Sequence, residues 1–385
     1  MRAPVAVIGA GVVGASVAYH LARRGRPVVL LDRSDGPGRG STGRATGGFR
    51  AQYATAINVR LSLLAREKLR CFAAETGVDP EYRQAGYLWL AATPAELAAL
   101  RAAQVVQHAE GLREATTVGV EEIARLNPAL EPDGIVGGVF CPSDGFITPT
   151  RLLAGYLAAA QRLGARVHWG VEATGFGRRR DGSLGSVRST QGDIEIAAAV
   201  NAAGAWAASV AAWAGVRLPV AALRRQVAVT FPFDELPDDM PMTIFAGDGF
   251  HLRVRDGRVL LLWPTPGIAG RPYDDTVDPD WVEAVVTKAH RRVPALRDAV
   301  IDPAACWGGL YEVTPDKHAI LGPAPGCANL YLANGSSGHG VMHAPALGHL
   351  LAEIVCDGAA TTLDVSALRP SRFAEGDLNP VSELL

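Results

Sequence analysis

The chain has 385 residues, of which 48% are hydrophobic and 20% charged, with a formal net charge of −2. That length admits two domains with sizeable cores, and the near-neutral charge excludes a general nucleic-acid binder. No apolar run approaches the roughly 18 residues of a membrane span, and Cys71, Cys141, Cys306, Cys327 and Cys356 lack C-x-x-C spacing, which fits a reducing, cytoplasmic setting.

Val5 to Ile8 is a short apolar run, as expected of a strand covered on both faces. Gly9, Gly11 and Gly14 follow it with G-x-G-x-x-G spacing at the start of a helix that runs through Leu21 and Ala22 and ends at Gly25. Val28 to Leu31 is the second strand, with Asp32 at its end. This order predicts a dinucleotide site. Gly9 permits the tight turn, Gly11 lets a pyrophosphate approach the backbone, and Gly14 packs the helix on the strand. The helix N-terminus faces the phosphates and Asp32 accepts from a ribose diol.

Residues 33–55 are rich in Gly, Ser, Thr and Arg. Such a stretch suits a flexible loop, or a backbone passing close to a flat ligand. Helical spacing returns at 58–75, a strand at 86–90, and an amphipathic helix at 94–108. Thr148 and Pro149 open a helix over 150–163, as N-cap and first helical residue. A strand at 166–169 and a buried strand ending at Ala202-Ala203-Gly204-Ala205-Trp206 follow. Residues 218–300 change to short β-like runs and a helix near 279–292, which reads as an antiparallel sheet domain set into the α/β part. Leu330 to Ala333 is a strand, Asn334 to Gly340 a glycine turn, and Val341 to Val355 a helix.

That last turn is a second helix N-terminus offered to a ligand. Trp307-Gly308-Gly309-Leu310-Tyr311-Glu312-Val313-Thr314-Pro315-Asp316 precedes it, and Gly338-His339-Gly340-Val341-Met342 forms it. With the N-terminal glycines and the 202–206 segment, these residues resemble the D-amino-acid-oxidase-type FAD oxidoreductases, which include glycine oxidase, sarcosine oxidase and dimethylglycine dehydrogenase. The loop 41–53 and the segment 307–345 are most similar to the β subunits of heteromeric sarcosine oxidase and dye-linked L-proline dehydrogenase. The resemblance implies an α/β fold: a Rossmann-like FAD-binding domain (1–84, 143–217 and 301–385) with an inserted α+β substrate domain built on an antiparallel sheet (85–142 and 218–300). It implies FAD as cofactor, and oxidation of a C–N bond in a small amino acid or secondary amine to an imine by hydride transfer, with oxygen or a redox partner as electron acceptor. A partner subunit, of the same or another kind, stays open. So do two rival readings: a nicotinamide-dependent dehydrogenase, and an FAD-binding subunit or assembly factor with little activity alone.

The resemblance assigns Asp32 and Arg33 to the adenosine side, and Ser41, Thr42, Arg44, Thr46 and Gly47 to the flavin. Ala203, Gly204, Trp206, Gly309, Gly338, His339, Gly340, Val341 and Met342 complete the cofactor set. Gly309 occupies a position where some members carry a cysteine bonded to flavin, and the loop has no histidine, so FAD is expected to be noncovalent and Cys306 a packed thiol. Arg50 matches an arginine that pairs with the substrate carboxylate; its other reading is an arginine that orders the loop. Met342 stands where a carboxylate-holding lysine occurs in monomeric sarcosine oxidase. His251 and Arg253 are offered where a second lysine promotes oxygen reduction there, which puts fast oxygen use in doubt. His251 reads equally as a strand residue facing solvent, and His339 as a turn histidine bonded to backbone. Tyr53 and Trp263 read as pocket walls or as core. No metal-ligand spacing appears, since His339 and His343 lack an accompanying acid.

Overall fold

The computed structural model describes residues 3–265 and 273–381. Strand Val5–Ile8, helix Val12–Arg23 and strand Val28–Asp32 form a βαβ unit in which Val5 pairs with Val28 in parallel register. A six-stranded sheet grows around it. Its spatial order is Ile320–Ala324, Cys327–Asn334, Ala198–Asn201, Val5–Ile8, Val28–Asp32, Arg166–Trp169. Every neighbouring pair is parallel except the first.

Both faces of this sheet are covered, which is why its strands read as unbroken apolar runs. Val5, Val7, Val28 and Leu30 pack among the helices. Ala6, Ile8, Val29 and Leu31 pack on the other side with Phe176, Leu184 and Val187 of a small antiparallel sheet. Helix Gly340–Asp357 lies along helix Val12–Arg23. The approach is close at Gly348, where a Cβ would stand 2.6 Å from the backbone of Ser16.

An eight-stranded sheet roofs this layer. Its order is Trp307–Val313, Ala221–Val229, Arg258–Leu262, His251–Arg255, Met242–Phe245, Tyr87–Ala91, Gly137–Cys141, Thr116–Val118. All of its pairs are antiparallel except Met242–Phe245 with Tyr87–Ala91, which is parallel, so the expected antiparallel sheet is in fact mixed. One face is buried by helix Pro279–Arg292 through Trp281, Val285 and Ala289. The opposite face looks down toward the six-stranded sheet.

Three local expectations change. Strand Trp307–Val313 hydrogen-bonds along Ala221–Val229 as part of the large sheet, although the sequence places 301–385 with the cofactor-binding segments. Strands Thr116–Val118 and Gly137–Cys141 went unread, because they are short and Gly137-Gly138 carries no β-branched signal. Thr148 precedes helix Pro149–Arg162 without capping it; its hydroxyl donates to Glu81 Oε2 at 2.5 Å instead.

Candidate functional site

A cavity of about 1300 Å³ runs between the two sheets, from the first glycine turn to the roof. At one end Gly9 has φ +102°, and a Cβ there would lie 2.4 Å from Ala202 O. Gly14 is pressed on the same turn: its Cβ would lie 1.9 Å from Gly9 O. Gly11 differs, since a Cβ there meets only Thr42 Oγ1 at 3.3 Å and otherwise opens on the cavity. Thr42 Oγ1 accepts from Val12 N–H at 3.0 Å, at the helix N-terminus. Asp32 is held ready: Oδ2 accepts from Ala10 N–H at 2.7 Å, and Oδ1 accepts from Ser34 N–H and Oγ–H at 2.9 and 2.6 Å. Arg33 lies 4.0 Å over the Trp206 ring, and Tyr273 stacks on Trp206 with centroids 5.4 Å apart.

The Gly-rich loop crosses the middle of the cavity and is tied to the roof. Ser41 Oγ–H donates to Leu310 O at 2.7 Å. Arg44 pairs with Asp275, and its carbonyl accepts from Trp307 Nε1–H at 2.8 Å. Gly309 faces this loop, and a Cβ there would crowd Arg44 Cβ at 3.3 Å. Gly47 has φ +79° and passes so close to Ile147 O that a Cβ would sit at 2.2 Å. Cys306 lies elsewhere: its thiol donates to Asp302 O at 3.3 Å and accepts from Val229 N–H at 3.4 Å, and it does not line the cavity.

The second glycine turn closes the far side. Gly335, Ser337 and Gly338 all have positive φ, and a Cβ at Gly338 would enter the Tyr311 ring. Glu312 O accepts from Ser337 N–H at 3.0 Å, and Glu312 Oε1 from Ser336 N–H at 3.3 Å. Burial pushes the Glu312 carboxyl up to about 7. Glu312 Oε2 and Ser336 Oγ are buried with no hydrogen-bond partner among the described residues, and both residues line the cavity. The sequence reading missed Glu312. Its signal is a lone carboxylate in an otherwise uncharged strand beside the turn.

Arg50 sits where loop and turn meet. It is 4% exposed. Its Nη1–H donates to Gln52 O at 2.8 Å, Nη2 lies 3.3 Å from His339 Nε2, and the guanidinium stacks 4.2 Å from the Tyr53 ring centroid. Burial and then the Arg50 charge hold His339 well below the ordinary imidazole range, so its Nε2 accepts from the guanidinium. His251 Nδ1 is 2.8 Å from Gly249 O and donates to it, which leaves Nε2 as the acceptor. Burial, with the Arg50 and Arg225 charges, lowers His251 to about 4. Below Arg50, the buried Asp144 accepts from Ala51 N–H at 2.8 Å, and burial raises it to about 7.

Arg50, His251 and His339 therefore line the cavity together. Arg253 does not. It is on the same strand as His251, but its Nη1–H donates to Thr46 O at 2.6 Å and its guanidinium lies 3.6 Å from the Phe146 ring centroid, buried behind the loop. Gly14 is likewise absent from the lining, while the other cofactor positions named from sequence all face the cavity. Trp263 lines the cavity; Tyr53 is buried behind it and donates to Met342 Sδ at 3.0 Å. His343 binds Ser62 Oγ at 2.9 Å, and no metal-holding group of His, Cys, Asp or Glu exists among the described residues. Sequence reasoning also missed Tyr87, Arg225, Met242, Ile244 and Tyr311 as lining residues.

A family model described as FAD dependent oxidoreductase matches residues 4–354 of this chain. The chain belongs to the FAD-dependent oxidoreductase (DAO) family. Human mitochondrial dimethylglycine dehydrogenase is 29% identical over 97% of this chain, which spans 45% of that protein, so the chain is about half as long as this relative. Glycine oxidase from Geobacillus kaustophilus is 29% identical over 92% of this chain and 93% of its own. The crystal structure of L-proline dehydrogenase from P. horikoshii superposes with TM-score 0.91 at 28% identity, covering 98% of this chain and 99% of that one. FAD is the cofactor, and this DAO-family cavity fits it. Gly11 leaves open the space a pyrophosphate needs, and the orphaned Ser336 and Glu312 oxygens offer partners to a polar ring edge. No helix among the described residues is long and apolar enough to cross a membrane.

Proposed function

We propose that this chain oxidises the C–N bond of a small amino acid or secondary amine, of the sarcosine, glycine, proline-like or D-amino-acid class, to an imine that water then hydrolyses. FAD, when bound, supplies the hydride acceptor. The observation that carries the reading is the buried Arg50 guanidinium at the cavity wall, set against a His339 that accepts rather than competes for charge. A guanidinium so placed suits a substrate carboxylate. His251 stays neutral above about pH 5 with its Nε2 lone pair outward, so it can accept from a substrate amine N–H but cannot act as an acid. Tyr87, Met242, Ile244 and Trp263 exclude water around the reacting carbon. The enzyme's contribution is then orientation, desolvation and fixed charge.

His251 lines the cavity where monomeric sarcosine oxidase offers a lysine that promotes oxygen reduction, which favours a redox partner over oxygen as electron acceptor. Gly309 and the distant Cys306 support noncovalent FAD. The described cysteines are free thiols, in keeping with a cytoplasmic location. The test is an anaerobic screen of amino acids and secondary amines for bleaching of the flavin absorbance. Bleaching by at least one carboxylate-bearing amine is expected. A chain that binds FAD but is bleached by none of them would instead be a non-catalytic subunit.

A further inference from the structure

Strand Ala221–Val229 alternates two arginines. Arg224 faces away from the cavity and pairs with Asp274 at 3.3 Å. Arg225 faces into the cavity with Leu223 and Val227. Its described hydrogen bonds go to main-chain carbonyls only, Thr265 O at 2.7 Å and Arg224 O at 3.4 Å, and the Tyr311 ring lies 5.6 Å from its guanidinium. The acids nearby are committed elsewhere, Asp274 to Arg224 and Asp275 to Arg44. Among the described residues Arg225 has no carboxylate partner, and residues 266–272 contain no Asp or Glu. Its cross-strand neighbour is Gly309, which has no side chain, so from that strand it meets the Tyr311 ring two residues on.

A half-buried guanidinium without an anion is costly, and burial does lower the Arg225 pKa. An incoming anion would relieve that cost. The charges of Arg225 and Arg50 both bear on His251, so the two cations flank one stretch of cavity from opposite layers, roof and loop. A substrate with a single carboxylate, taken by Arg50, would leave Arg225 without an anion among the described residues.

We propose that Arg225 and Tyr311 form a second anion subsite, and that the preferred substrate is a secondary amine carrying two carboxylates, one on each side of the nitrogen. This rests on the reading that Arg50 takes the first carboxylate. It adds a selectivity element on the roof, separate from the group that orients the reacting carbon.

Two redox-inert probes test it on the FAD-loaded protein: thiodiacetate, which has the shape of an amine diacid, and (methylthio)acetate, which lacks the second carboxylate. Binding is read from the flavin absorbance change and from quenching of tryptophan fluorescence. The wild type should bind thiodiacetate roughly 10- to 100-fold more tightly, as expected for one charge-assisted contact. Arg225→Met should abolish most of that preference, mainly by weakening thiodiacetate, and Arg225→Lys should retain part of it. A wild type without preference for the diacid overturns the subsite, and so does an Arg225→Met protein with full flavin content that weakens both probes equally. If Arg225→Met does not fold, the wild-type preference and its partial survival in Arg225→Lys decide the matter. Should Arg50→Ala weaken neither probe while Arg225 variants still lose the diacid preference, the Arg50 reading fails and the subsite stands.

Discussion

Arg50 Nη2 and His339 Nε2 meet at 3.3 Å across 289 residues of chain. Loop and glycine turn thus become one unit, in which the neutral imidazole accepts at Nε2 and the positive charge stays on the arginine.

Removing that charge should hurt catalysis selectively. Arg50→Ala should retain FAD and a normal flavin spectrum while its reductive efficiency for amino-acid substrates falls roughly 30- to 1000-fold, the equivalent of about 2–4 kcal/mol. An amine of the same shape without the carboxylate should lose far less. An equal loss for both, measured by stopped-flow flavin reduction, would make Arg50 an organiser of the loop.

The first turn separates cofactor binding from folding. Gly11→Val should purify as a folded, colourless apoprotein, because its new Cβ meets little of the protein but takes the pyrophosphate space. Gly14→Val should instead lose about 3 kcal/mol of stability, since its Cβ collides with Gly9 O. The flavin-to-protein absorbance ratio and urea unfolding distinguish the two. A yellow Gly11→Val protein would remove the phosphates from this turn.

Acid precipitation should release all the flavin into the supernatant. Cys306 is engaged with Asp302 O and Val229 N–H outside the cavity, and Gly309 offers no nucleophile. Flavin found on a Cys306 peptide by mass spectrometry would contradict this geometry.

The chain should weaken in acid through its buried imidazoles. His343 is 1% exposed, and burial lowers it to about 3. A base with a depressed folded pKa contributes full stability above its unfolded value near 6.5 and loses it as pH falls toward 3. Between pH 7 and 5 the loss from His343 is about 2 kcal/mol. His343→Gln, which cannot protonate, should flatten the pH dependence of urea unfolding measured with saturating FAD. An unchanged slope would mean that other groups set it.

The cofactor end of the site was legible because backbone geometry demands particular residues there. Gly9, Gly14 and Gly338 stand where a Cβ has no room, and Asp32 closes a strand–turn–helix unit of fixed length. The substrate end was not, because it depends on what covers each strand. His251 and Arg253 share a face of one strand, yet the loop at Thr46 buries Arg253, while Arg225, two strands away, reaches the cavity. No local spacing encodes that choice. The pairing of Gly137–Cys141 with Tyr87–Ala91, and of Trp307–Val313 with Ala221–Val229, is also set by distant partners rather than local pattern.

The order of the six-stranded sheet has a consequence for how the chain acquires its fold. Strand Val5–Ile8 is emitted first but lies between Val28–Asp32 and Ala198–Asn201. One of its edges must wait until Ala198–Asn201 is made, and the helix that follows it is covered in part by Pro149–Arg162 and fully only when Gly340–Asp357 arrives. Such late, non-local closure is slow and exposes apolar surface on the way. Truncation anywhere before helix Gly340–Asp357 would leave a sticky fragment rather than a smaller working protein, and a ligand that bridges both glycine turns can bind only once the second turn has been made.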